Sequence, residues 1–224
     1  MDDPDYGPER ARMLRDIAAH TLLAHEAIGK AALDKRVMAA MAKVPRHAFV
    51  PAELRPYAYV DQPLPIGYGK TISQPFMVAL MTDLLELEDD DRVLEIGTGL
   101  GYQAAVLAAL VEQVYSVEVI EELAQQAKVR LEEAGAKGVE IRVANGYHGW
   151  PEHAPFDKII VTTAPQLVPP PLLAQLKPGG RMVIPAGLTG SQQLMAVEKD
   201  ARGHIAMREI LAVRFSELEG EPEL

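Results

Sequence analysis

Apolar positions recur along this chain at two periods, and the change from one to the other marks its organisation. From Arg10 to Ile28, residues Met13, Leu14, Ile17, Ala18, Leu22 and Ala24 fall at near-helical spacing until Gly29 interrupts them. A second stripe, Val37, Met38, Met41 and Val44, stops at Pro45. Between Phe49 and Pro75 the residues Pro51, Pro56, Pro63, Pro65, Gly67 and Gly69 exclude long regular structure. That segment predicts an ordered loop or a set of short edge strands, and Phe76 to Leu87 predicts a helix leading into the core.

The pattern then alternates. Arg92–Ile96, Val114–Val119, Val139–Ala144, Lys158–Thr162 and Arg181–Pro185 read as strands. Tyr102–Val111, Ile120–Ala134 and a short stretch through Leu173 and Leu176, ending at Gly179-Gly180, read as helices. Loops occupy Asn145–Pro155 and Pro165–Pro171. Strands alternating with helices predict an α/β fold with a mostly parallel sheet. Gln193–Lys199 and Met207–Phe215, joined by residues 200–204, predict an antiparallel C-terminal hairpin. The expected division is residues 1–75 as an N-terminal helical and loop appendage, 76–216 as the core, and 217–224 as a loose acidic tail.

Chemistry concentrates where the first strand of the alternation ends. Arg92–Ile96 runs into Gly97, Gly99 and Gly101 and then into a good helix former. A dinucleotide fingerprint, G-x-G-x-x-G, would place its third glycine at position 102, where Tyr102 stands. With Glu95 two residues before the first glycine, the arrangement instead resembles the first motif of Rossmann-like methyltransferases that use S-adenosylmethionine. That cofactor has no phosphate to cradle, so the glycines would let the backbone approach its amino-acid and ribose portion.

In open α/β sheets ligands sit beyond the carboxyl ends of the strands. Those ends carry Glu95 to Gly101, Glu118, Asn145-Gly146 and Thr162-Thr163-Ala164. Glu118 is either an acid accepting both ribose hydroxyls or an ordinary polar strand end, and its place after the glycine loop favours the first. Asn145 either meets an adenine edge with its amide or opens a simple Asn-Gly turn.

Composition narrows the setting. The formal net charge of −10 argues against a nucleic-acid or anionic-membrane surface. With no cysteine, disulfides and thiol catalysis are excluded, and a reducing compartment fits. No apolar run approaches the roughly 20 residues of a membrane span, and Met1-Asp2-Asp3-Pro4-Asp5 is unlike a secretory leader. A cytoplasmic protein is the expectation. His20, His25, His47, His153 and His204 show no ligand-like clustering with carboxylates, so no metal site is expected. The methionines read as core filler.

Longer segments narrow the match. Val44-Pro45-Arg46-His47-Ala48-Phe49-Val50-Pro51, Leu64 to Pro75 with Thr71-Ile72-Ser73-Gln74-Pro75, and Gly101-Tyr102-Gln103-Ala104 resemble the protein-L-isoaspartate O-methyltransferase family. So do Gly146-Tyr147-His148-Gly149-Trp150, Ala154 to Val161, and Gln175 to Arg181. The resemblance implies methyl transfer from S-adenosyl-L-methionine to the α-carboxylate of L-isoaspartyl residues in peptides and in unfolded or aged proteins. It implies cofactor contacts from Thr71, Ile72, Glu95, Gly97, Thr98, Gly99, Gly101, Glu118, Asn145 and Gly146, and a hydroxyl from Ser73 on the accepting carboxylate. The appendage would then form a cofactor lid and substrate rim. Ser73 has a second reading, as a cap for the helix from Phe76. His148 and Trp150 would hold their loop rather than perform chemistry.

The chain departs from the family pattern at Ala144-Asn145-Gly146, where Gly-Asp-Gly is usual. It departs again at Ser216-Glu217-Leu218-Glu219, where Val-Pro-Leu-Thr usually follows the Phe of the closing segment. Two alternatives stay open: a relative that methylates an aspartyl side chain of one dedicated peptide, and a non-catalytic S-adenosylmethionine-binding module. A carboxylate acceptor is already ionised at neutral pH, so the expected reaction needs alignment and water exclusion rather than a general base.

Overall fold

The computed structural model describes residues 6–220. Its first layer is helical: α1 (Gly7–Leu23), α2 (His25–Ile28) and α3 (Lys35–Lys43). A short antiparallel hairpin follows, β1 (Leu64–Gly67) and β2 (Lys70–Ile72), turning through Tyr68 and Gly69, both at positive φ. Next come α4 (Pro75–Leu84), β3 (Arg92–Ile96), α5 (Tyr102–Ala108), β4 (Gln113–Glu118), α6 (Glu121–Glu133) and β5 (Val139–Val143). The chain ends its regular structure with β6 (Phe156–Val161), α7 (Pro170–Gln175), β7 (Leu176–Ala186), β8 (Gln192–Lys199) and β9 (Ile205–Val213).

The main sheet has the order β5-β4-β3-β6-β7-β8-β9. Strands β3 to β7 run parallel, and β8 and β9 return antiparallel. After β3 the chain builds β4 and β5 on one side, then crosses back to lay β6 on the other. The order therefore reverses at β3 and β6, and a crevice opens beyond their carboxyl ends. The period of two along β3 supplies both faces of the core. Val93 joins the cluster of Met13, Ile17, Met41 and Leu80, whereas Leu94 and Ile96 join Phe156, Leu172 and Leu176. The N-terminal helices are thus part of the same core as the sheet.

Three local expectations need correction. The single helix read over Arg10–Ile28 is broken at Ala24. The stripe that α1 buries is Met13, Ile17 and Thr21, while Leu22 is exposed, because burial follows the four-residue repeat rather than the nearest apolar residue. The helix read through Leu176 to Gly180 stops at Gln175 and β7 starts at once. Pro178 has no amide to donate and disfavours helix at Lys177, so residues 177–180 bulge between the pairs Phe156–Leu176 and Lys158–Arg181.

The loose tail is the third. Residues 221–224 lie outside the described residues, but 217–220 are pinned. The Ala164 amide donates to the Ser216 carbonyl at 2.8 Å, and the Leu218 amide to the Ala164 carbonyl at 3.1 Å. Leu218 is buried beside Ile96 and Gly146, and Lys70 Nζ meets Glu219 Oε1 at 2.6 Å. An apolar anchor and an ion pair turn this stretch into a strap.

Candidate active site

The crevice holds a cavity of about 730 Å³, walled by the turn after β3, the ends of β4 and β6, the start of α4, the end of α1 and the strap. That volume suits a small-molecule cofactor with room for an acceptor group. The turn after β3 is shaped by its glycines. Gly97 has φ +96°, and a Cβ there would lie 2.5 Å from Thr162 Oγ1. That hydroxyl shares its one proton between the carbonyls of Ile96 and Gly97, at 3.0 and 2.8 Å, so the residue following β6 grips the turn directly. Gly101, at φ +94°, caps α5 and faces Leu131 and Ala127 of α6 rather than the cavity.

Glu118 ends β4 on the cavity wall. Its Oε2 accepts the Gly99 amide at 2.8 Å, and its Oε1 accepts the amides of Val119 and Ile120, each at 3.0 Å. A carboxylate offers about four lone-pair sites, so about one, on Oε2, is left for a ligand hydroxyl. Accepting both hydroxyls of a diol would require the Gly99 amide to give way.

Glu95 lies elsewhere. It is fully buried, absent from the cavity wall, and hydrogen-bonded through Oε2 to Ser116 Oγ. Burial, with the Glu118 charge adding to it against the Ser116 hydrogen bond, pushes its carboxyl up to about 8. Its sequence-based role as a cofactor contact is corrected: the side chain points under the turn.

The opposite wall is built by residues 61–77. Asp61 Oδ1 accepts the Phe76 amide at 2.8 Å and Oδ2 accepts Gln74 Nε2 at 3.1 Å. His20 Nδ1 also bonds Asp61 Oδ2. Asp61 therefore satisfies an N-terminal amide of α4, with Pro75 at the first helical position. Ser73 is not the cap, and its side chain, half-buried on the cavity wall, keeps its hydroxyl for a ligand. Its carbonyl accepts Arg46 Nη2 at 2.7 Å. Arg46 is wholly buried, also donates from Nε to the Ala58 carbonyl at 2.7 Å, and stacks 4.8 Å over the Tyr102 ring. Burial lowers the guanidinium to about 10, so it remains charged at neutral pH.

Of the sequence-predicted residues, the cavity brings together Thr71, Ile72, Ser73, Gly97, Thr98, Gly99, Glu118 and Gly146. Glu95, Gly101 and Asn145 are not on its wall. Asn145 Oδ1 accepts the Tyr147 amide at 2.9 Å and Nδ2 donates to the Gly220 carbonyl at 2.7 Å. Its amide closes the Asn-Gly turn and holds the strap, and the residue is off the cavity wall. His148 and Trp150 are kept off the cavity by Gln175, which accepts the Trp150 amide and donates to the His148 carbonyl, both at 2.8 Å.

Sequence reading missed Arg46, Asp61, His20 and Lys70. Arg46 lies within the Val44–Pro51 segment, but nothing local in the sequence shows that its partners are the carbonyls of Ala58 and Ser73. Two histidines each pair with a single carboxylate, His20 with Asp61 and His204 with Asp200. No group of three or more potential metal ligands occurs among the described residues.

Comparison with known proteins decides the family. The model of the protein-L-isoaspartate(D-aspartate) O-methyltransferase (PCMT) family matches residues 18–222. The chain belongs to this family. A protein-L-isoaspartate O-methyltransferase 1 of a Polaromonas species is 63% identical over 98% of this chain and 93% of its own length. A protein-L-isoaspartate O-methyltransferase 2 of Syntrophobacter fumaroxidans is 58% identical over 98% and 89%. A solved protein-L-isoaspartate O-methyltransferase superposes with a TM-score of 0.80 at 29% identity, covering 94% of this chain and 66% of its own. A Plasmodium falciparum structure described as a putative member in complex with S-adenosyl-L-homocysteine shares the fold, with a TM-score of 0.74, 22% identity and coverage of 91% and 97%. The mostly parallel sheet, antiparallel closing strands and N-terminal helices are therefore those of the family.

Proposed function

We propose that this chain transfers the methyl group of S-adenosyl-L-methionine to the α-carboxylate of L-isoaspartyl residues in proteins and peptides. The observation that carries the reading is the cavity itself, with a glycine turn and Glu118 on one wall and the Ser73 hydroxyl on the other. The residues fit the cofactor. A Cβ at Gly97 would displace Thr162, one lone pair of Glu118 remains for a ribose hydroxyl, and Thr98 lines the space beside the turn. When bound, S-adenosylmethionine supplies a methyl group on a positively charged sulfur.

This chain's residues supply the rest. The acceptor carboxylate is an anion at neutral pH, so no base need be present in the cavity. Ser73 orients one acceptor oxygen by donating to the other. Arg46 holds the Ser73 backbone so that the hydroxyl does not wander. Ile72, Phe76, Met77, Ile96 and Val117 give the cavity apolar walls that strip water from the nucleophile. Donor and acceptor charges cancel in the reaction, which a dry site favours.

The same reading takes flexible, damaged or unfolded chains as the substrates and the cytoplasm as the setting, with β1, β2 and the strap, which line the cavity, as the rim that a peptide would pass. No described helix is long and apolar enough to cross a membrane. The test is methyl incorporation from labelled S-adenosylmethionine into a synthetic isoaspartyl peptide, with the aspartyl isomer as control. Labelling of the isoaspartyl peptide alone is expected. Preference for the aspartyl isomer would overturn the substrate, and cofactor binding without transfer to either would overturn catalysis.

A further inference from the structure

Glu95 is the least explained group near the cavity. It sits on β3 opposite Ser116 of β4 and Ile160 of β6. It is wholly buried, and its Oε1 makes no hydrogen bond among the described residues. Among the described residues it pairs with no cation. From β4 it meets the Ser116 hydroxyl and feels the Glu118 charge, while β6 sets Ile160 opposite it, with its charged residues Asp157 and Lys158 further down the strand. The remaining oxygen, Oε2, bonds Ser116 Oγ, and Ser116 Oγ lies 2.6 Å from Thr98 Oγ1. Thr98 is on the cavity wall. A buried carboxyl is therefore joined to the cofactor cavity by two hydroxyls in series.

Each hydroxyl has a single proton to give, so the series has one direction at a time. With Glu95 neutral, its proton goes to Ser116, the Ser116 proton goes to Thr98, and Thr98 is left to donate onward. With Glu95 ionised, Ser116 donates to it, Thr98 donates to Ser116, and the Thr98 oxygen turns lone pairs toward the cavity.

We propose that Glu95 and Ser116 are positioning residues for the cofactor, setting through this relay whether Thr98 offers a proton or a lone pair, and that a cationic cofactor draws the proton from Glu95. The inference rests on the S-adenosylmethionine reading. The donor carries a positive sulfur that its demethylated product, S-adenosylhomocysteine, lacks. Entry of that charge favours the ionised carboxyl and the acceptor state of Thr98. Once the methyl has left, the pull is gone and the proton returns. The raised titration of Glu95 fits this geometry, because a carboxyl near neutrality is one a nearby charge can tip.

The experiment is calorimetric titration of the whole chain with each ligand near pH 7, in buffers of different ionisation enthalpy, which counts protons released on binding. The sulfonium makes the donor's amino group more acidic than the product's, so the ligands' own contribution is taken from Glu95→Gln and subtracted. Binding of S-adenosylmethionine should release a larger fraction of a proton than binding of S-adenosylhomocysteine. In Glu95→Gln, which has no proton to release at this position, the difference should shrink to the part set by the ligands themselves. Ser116→Ala is the second variant. Without the hydroxyl that stabilises its anion, Glu95 stays protonated, and release should fall at least about two-fold in a chain that still melts cooperatively. The same difference between the two ligands in the unaltered chain and in Glu95→Gln overturns the relay. Failure of the unaltered chain to bind S-adenosylmethionine at all would instead sink the functional reading.

Discussion

Ser73, Glu118 and Gly97 have separable jobs, and single substitutions tell them apart. Ser73 makes no cap and holds the wall through its carbonyl, so Ser73→Ala should leave the fold and S-adenosylhomocysteine affinity unchanged. Isoaspartyl methylation should fall about ten-fold or more, about 1.4 kcal/mol of lost positioning, read in kcat rather than in the melting temperature. Glu118→Ala removes the acceptor of three backbone amides as well as the proposed ligand contact. Calorimetry with S-adenosylhomocysteine should show affinity lowered by about 1.5–3 kcal/mol, the scale of a charged hydrogen bond. Gly97→Ala should be worse than its single methyl suggests, since Cβ meets Thr162 Oγ1 at 2.5 Å and φ is positive. These roles were partly legible beforehand. The glycine spacing and the acid after it point to the wall that lines the cavity, but side-chain direction does not follow from spacing. Glu95 and Asn145 read as contacts because they sit at strand ends, and they differ only in where the backbone aims them.

Among the elements, α4 carries the most consequence for the site, because its first turn is also the cavity wall. Its N-terminal amide is satisfied by Asp61, fourteen residues before the helix begins at Pro75. Asp61→Ala should cost about 1–2 kcal/mol in denaturant unfolding, as for other lost helix caps, and should raise KM for the peptide by loosening Ser73. Two signals made these elements readable: α6 buries a single stripe, whereas α4, β3 and β4 are apolar runs buried almost throughout. They failed where a chain break depends on a neighbour. The end of α1 at Leu23 and the start of β7 at Leu176 are set by what packs beside them and by Pro178. The hairpin of β1 and β2 was foreseen only as an alternative to a loop, because four- and three-residue strands leave little pattern to read.

For the molecule as a whole, Glu95 leaves a signature in stability against pH. Its carboxyl is neutral in the folded chain up to about 8 but ionises in the unfolded chain in the ordinary carboxylate range. Between those limits the folded state binds more protons than the unfolded one, so this group's contribution is full in acid and is lost as pH rises toward 8. Glu95→Gln has no such proton to lose. Urea unfolding at about pH 6 and about pH 8 should show the variant gaining on the parent as pH rises, and a constant difference would place the titration elsewhere.

The cavity's walls come from opposite halves of the sequence: His20 and Ser73 on one side, Gly97 and Glu118 within, Glu217 and Glu219 closing over. A molecule filling that space behaves as a non-covalent cross-link. It stitches the first helix and the strap to the sheet, and it stabilises the assembly by mass action in proportion to its concentration over its Kd. Digestion by a protease would register that stitch as simultaneous protection of cleavage sites near α1 and near the strap, distant in sequence yet opening as one unit. A cell depleted of the methyl donor would therefore hold a population of this enzyme that is more readily degraded, so that its abundance tracks the supply of the molecule it consumes.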